Sequence, residues 1–122
     1  VLPKSMNYLN TENNQNETPL LSAIRRGHTD IALKLLRAGA MPLIFDGGEL
    51  FDSALLHAAD ANNTEVVREL LKNEQVRRHV NFTTETHSLE PIVYAAYNGN
   101  YDMFKLLLAV PDVKIDGAVL YQ

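Results

Sequence analysis

Residues Thr18–Ala40 read T-P-L-L-S-A-I-R-R-G-H-T-D-I-A-L-K-L-L-R-A-G-A. The order of residue types predicts two short helices with a sharp turn between them. Thr18 is a good N-cap, because its hydroxyl can accept from an orphan amide. Pro19 suits the first helical position, where a missing donor costs nothing. The first helix is expected from about Pro19 to Arg26, with Gly27 ending it in the left-handed conformation. The second is expected over Thr29–Ala38, with Asp30 favoured by the macrodipole in the first turn. Leu20, Ala23, Ile24, Ile31, Leu35 and Leu36 make an apolar surface too large for two helices to bury alone.

The pattern returns at Ser53–Asn73 (S-A-L-L-H-A-A-D-A-N-N-T-E-V-V-R-E-L-L-K-N) and at Glu90–Ala109 (E-P-I-V-Y-A-A-Y-N-G-N-Y-D-M-F-K-L-L-L-A). Thr18, Ser53 and Glu90 are equivalent, at intervals of 35 and 37 residues. Asn62 and Gly99 match Gly27, and asparagine is the next-best residue for a left-handed terminus. Asn63 and Asn100 match His28, and Glu65 and Asp102 match Asp30. The other second helices are expected over Thr64–Asn73 and Tyr101–Ala109. Leu55, Ala58, Ala59, Val66, Leu70 and Leu71 are the second packing surface; Ile92, Ala95, Ala96, Met103, Leu107 and Leu108 are the third. Stacking supplies the burial that each unit lacks.

A repeat of about 33 residues opening T-P-L-x-x-A is the ankyrin pattern. The chain resembles the ankyrin-repeat family from Leu9 to about Ile115. The resemblance implies an all-α helical solenoid with short β-hairpin-like connections, built from about three stacked helix-turn-helix repeats. These fall at approximately 13–45, 48–82 and 85–116 of a single domain spanning 1–122. Leu9-Asn10 stands where a preceding repeat would end its hairpin, and Thr11–Asn16 suits a polar tip. The chain is therefore expected to be part of a longer protein. Where the family has T-P-L-H, the histidine position holds Leu21, Leu56 and Val93. The next position holds Ser22, His57 and Tyr94, expected as a polar column along the first helices.

The connections depart from the family. Met41–Asp52 carries Leu43, Ile44, Phe45, Leu50 and Phe51 around Gly47-Gly48, and five such side chains cannot all face water without an unusual patch. Leu43 and Phe51 are expected to tuck against the helices, with Phe45 or Leu50 exposed. After Asn73, E-Q-V-R-R-H-V can prolong the second helix. Pro111 stops the last helix, and Val113 and Ile115 resemble the start of another hairpin.

Composition narrows the function. Hydrophobic residues make 46% of the chain and charged residues 21%, which fits a folded soluble domain. A formal net charge of −4 opposes nucleic-acid binding, which needs a basic footprint. No apolar run approaches the roughly 18 residues of a membrane span, and V-L-P-K-S-M-N-Y lacks a signal peptide's apolar region. The absence of cysteine excludes disulfides and thiolate chemistry and agrees with a cytoplasmic location. Nucleophile-elbow, phosphate-loop and dinucleotide motifs are missing. His79 and His87 lie in the second long connection with Glu85 and Glu90, but without the H-x-x-x-H or H-E-x-x-H spacing of a metal site. His28 and His57 have structural readings. No cofactor or metal is expected.

The resemblance implies a non-enzymatic module, acting as a monomer, that binds a protein through the concave face and hairpin tips. Family positions carried over residue by residue give Gln15, Glu17, Arg25 and Arg26 in repeat one. Repeat two gives Glu49, Leu50, Asp52, Asp60 and Ala61; repeat three gives His87, Leu89, Tyr97 and Asn98. Phe45 joins them as an exposed tip residue. The alternatives are a recruiting segment of a larger enzyme, or an effector that a microbe delivers into host cells.

Overall fold

The computed structural model describes Glu12 and residues 17–115. The readings placed on Leu9-Asn10, on Gln15 and on the rest of the polar tip lie outside the described residues, apart from Glu12, which is exposed. Among the described residues, seven helices and one two-stranded hairpin follow in order: α1 Pro19–Arg25, α2 Thr29–Arg37, β1 Leu43–Asp46, β2 Glu49–Ser53, α3 Ala54–Asp60, α4 Thr64–Leu70, α5 Glu74–Arg78, α6 Pro91–Tyr97 and α7 Tyr101–Leu108. The first helices α1, α3 and α6 pack side by side in one layer, and the second helices α2, α4 and α7 in another. The core runs between the layers through Leu20, Ile24, Leu55, Val66, Leu70, Ile92, Met103 and Leu107, all essentially buried. Ala58, Ala59 and Ala95 are also fully buried, and their small side chains let first helices approach closely.

The helix termini follow the predicted chemistry. Thr18 Oγ1 accepts from the Leu21 amide and Ser53 Oγ from the Leu55 amide. Glu90, the third equivalent, makes no side-chain cap bond. Gly27, Asn62 and Gly99 all have positive φ, with Asn62 at 58°. Asn63 and Asn100 are the N-caps of α4 and α7, and their Oδ1 atoms accept from Val66 N and Met103 N. Each also reaches back one repeat. Asn63 Nδ2 donates to Thr29 Oγ1 at 2.9 Å, and Asn100 Nδ2 donates to Thr64 Oγ1 at 2.7 Å and to Asn62 Oδ1 at 2.8 Å. One side chain thus caps its own helix and fixes the register of its neighbour.

Four expectations need correction. Ile31 is 54% exposed, although its equivalents Val66 and Met103 are fully buried. Among the described residues α2 has one neighbour in its layer, α4, whereas α4 lies between α2 and α7; it is Ala32 that α2 buries. Leu108 is 43% exposed for the corresponding reason at the other end of the layer. The second helix of repeat two is not prolonged. It ends at Leu70, and the Asn73 side chain caps a separate helix α5 by accepting from Gln75 N and Val76 N. That local bond competes with helix continuation. The redirected chain buries Val76 and Val80, while Arg77 donates to the Leu71 carbonyl at 2.7 Å. The hairpin expected from Val113 and Ile115 would need residues outside the described ones; residues 113–115 themselves carry no strand. Instead Asn81 holds that segment, donating to the Asp112 carbonyl and accepting from Lys114 N.

The fourth correction is Phe51. The β1–β2 pair turns through Gly47 and Gly48, both with positive φ, as a two-residue hairpin requires. The register runs Ile44 to Asp52 but Phe45 to Leu50, so Phe51 is the extra residue of a β-bulge. A bulge reverses the alternation beyond it. Leu43 is buried and Phe45 is 49% exposed, as expected, but Leu50 half-packs on the core and Phe51 turns out, 56% exposed.

Candidate protein-binding groove

The bulged strand β2 feeds directly into α3, and together they form one wall of a groove of about 1070 Å³. Its lining comprises Glu17, Leu21 and Arg25 from repeat one; Leu50, Phe51, Asp52, His57, Asp60 and Ala61 from the hairpin and α3; and Phe82–His87 from the second connection. That connection replaces a hairpin. Thr84 and His87 close it as a turn, with Thr84 N donating to the His87 carbonyl and His87 N donating to Thr84 Oγ1, both at 2.9 Å.

The turn aims His87 into the wall. The His57 and His87 rings lie 4.5 Å apart, centre to centre and tilted, and Tyr94 meets the His87 edge at 6.2 Å. Of the polar column expected from Ser22, His57 and Tyr94, the last two each meet the inserted His87 rather than one another. Ser22 stands apart and accepts from Arg26. Each histidine has its own carboxylate. His57 Nε2 donates to Asp52 Oδ2 at 2.8 Å, and His87 Nε2 lies 3.2 Å from Asp60 Oδ2. Asp52 Oδ1 also accepts from Ser53 N. His57 Nδ1 is buried and unpaired, so a hydrogen on that atom would be left without an acceptor.

Burial, and next the neighbouring His57, push the His87 imidazole below the usual histidine value, against the opposing pull of Asp60 and Asp52. The Tyr94 hydroxyl is pushed up by burial and by Asp60. Ser53 gives its oxygen to the α3 cap rather than to His57, so the Asp52–His57 pair does not activate a nucleophile there. Among the described residues no three histidines or carboxylates come together as metal ligands.

Of the residues singled out from sequence, the groove brings together Glu17, Arg25, Leu50, Asp52, Asp60, Ala61 and His87. Glu17 is only 4% exposed and is engaged by Arg25 and Arg26. His87 is buried as well. Arg26, Phe45, Glu49, Tyr97 and Asn98 are exposed outside the lining, and Leu89 is half-buried on the core. Besides Leu21 and His57, which had structural readings, sequence reasoning missed Phe51, Phe82, Thr83, Thr84, Glu85 and Thr86. The bulge hid the first. The others lie where the family pattern places a hairpin this chain does not make.

Comparison with known families agrees with the architecture. A family model described as "Ankyrin repeats (3 copies)" matches residues 42–116, and one described as "Ankyrin repeat" matches residues 15–46. No curated protein matches the chain. Ankyrin repeats are in general modules for protein–protein interaction rather than catalysis. Among the described residues no helix is long and apolar enough to cross a membrane. With the larger match covering more than half its length, the chain belongs to the ankyrin-repeat family.

Proposed function

We propose that this chain is a non-enzymatic, monomeric, cytoplasmic module that binds a protein partner in the groove between the β1–β2 hairpin, the first helices and the 82–87 connection. The observation that carries the reading is the exposed Phe51 beside that groove. A ring 56% exposed on a bulged strand, next to half-buried Leu50 and Phe82, offers contact area without unfolding anything. Aromatic anchors of this kind carry much of the energy of protein interfaces. Arg26, Phe45, Glu49, Tyr97 and Asn98 are proposed as a rim around it.

Affinity capture from lysate, followed by mass spectrometry, tests the reading with Phe51→Ser as the control. A partner retained by the wild-type chain is expected to be lost with Phe51→Ser, while the melting temperature changes little. Partners retained equally by both proteins would show that the groove is not the binding surface.

A further inference from the structure

We propose that the groove selects a segment of its partner in which an arginine or lysine side chain stands beside an apolar one. The inference rests on the binding reading above and gives it a chemical identity. Among the described residues, four carboxylates line the groove, from Glu17, Asp52, Asp60 and Glu85, against one guanidinium, that of Arg25. Glu17 is answered by Arg25 and Arg26 at the repeat-one end. The excess of negative charge therefore lies at the other end, with Asp52, Asp60 and Glu85.

His87 does not cancel it. A neutral imidazole donates one hydrogen bond to a carboxylate and leaves the charge in place. His87 is held toward its neutral form by burial and by His57. Asp52 has both oxygens engaged, by His57 and by Ser53 N, so it contributes field rather than contact. Asp60 is about half exposed and Glu85 is exposed, so both can receive a cation from outside. Phe51 and Phe82 supply the apolar surface. A long basic side chain lays its methylenes on such rings and keeps its charged head on the carboxylates. An acidic segment would meet repulsion at the same place.

The charged and titratable groups facing His87 are His57, Asp52, Asp60 and Tyr94, with Glu85 two residues away in the same turn. Protonation of the His87 imidazole sets a positive charge against Asp60, so acid weakens capture of a cation. Added salt weakens it as well.

A random peptide library displayed on phage, selected on the full chain at about pH 7.5, tests the proposal. Enriched sequences are expected to share an arginine or lysine next to an apolar residue. Their affinity is expected to fall about three- to tenfold with Asp60→Asn and with Glu85→Gln, and again between about pH 7.5 and pH 5.5. Glu85 is exposed, so Glu85→Gln separates lost charge from lost fold; an unchanged melting temperature checks this. Enriched peptides that are acidic or uncharged but lost with Phe51→Ser overturn the charge preference and leave the groove as a binding site. So do basic peptides indifferent to both Asp60→Asn and Glu85→Gln. A selection that enriches nothing, or only peptides indifferent to Phe51→Ser, overturns both readings.

Discussion

Asn62 and His87 show how much one side chain decides. Asn62 is the one described non-glycine residue with positive φ. A β-branched side chain there meets its own backbone, so Asn62→Val is expected to cost about 1–2 kcal/mol or more in a urea melt. Asn62→Gly removes the strain but also the bond from Asn100. The two effects oppose, and a change within about 1 kcal/mol of wild type is expected. His87 makes stability depend on pH. Its folded-state value is lowered from 6.5, so the unfolded chain binds the proton more readily. The stability it contributes is complete above pH 6.5 and is lost as pH falls through that value toward the folded-state one. Thermal melts of wild type and His87→Gln between about pH 7.5 and pH 5.5 should converge on the acid side; parallel curves would exclude His87 as the titrating group. The left-handed turn at Asn62 was legible, because only a few residue types tolerate it. The role of His87 was not, because the turn that aims it has no counterpart in the repeat pattern.

Elements defined by periodicity were read correctly; those defined by one local bond were not. Helix spans α1, α2 and α7 follow from caps and apolar spacing. The break before α5 depends on whether the Asn73 side chain or the next turn of helix wins the same amides, and the sequence favours neither. Likewise, Phe51 was expected to tuck against the helices, and its place as the extra residue of β2 leaves it exposed instead. The hairpin prediction is correspondingly specific. Phe45→Ser should leave the melting temperature nearly unchanged, since that ring is half exposed. Leu50→Ser should lower stability by about 1–2 kcal/mol, because Leu50 half-packs on the core. Equal effects in denaturant melts would argue against the bulged register.

The whole molecule is a stack whose parts touch mainly their neighbours, so its stability is a sum of repeat and interface contributions. Leu70 is 1% exposed and sits on α4, the helix between α2 and α7. Leu70→Ala is expected to cost roughly 2–5 kcal/mol in urea unfolding; a loss below about 0.5 kcal/mol would show that the site relaxes around the missing atoms. The asparagines at the helix starts add a dynamic consequence. Val66 N and Met103 N are held by Asn63 and Asn100, which in turn are held by the preceding repeats. Those two amides cannot exchange with solvent without either losing the cap or undocking the repeats. His28, at the equivalent position of repeat one, makes no side-chain cap bond. In deuterium the start of α2 should therefore label first, by local fraying, while Val66 and Met103 keep time with the separation of whole repeats.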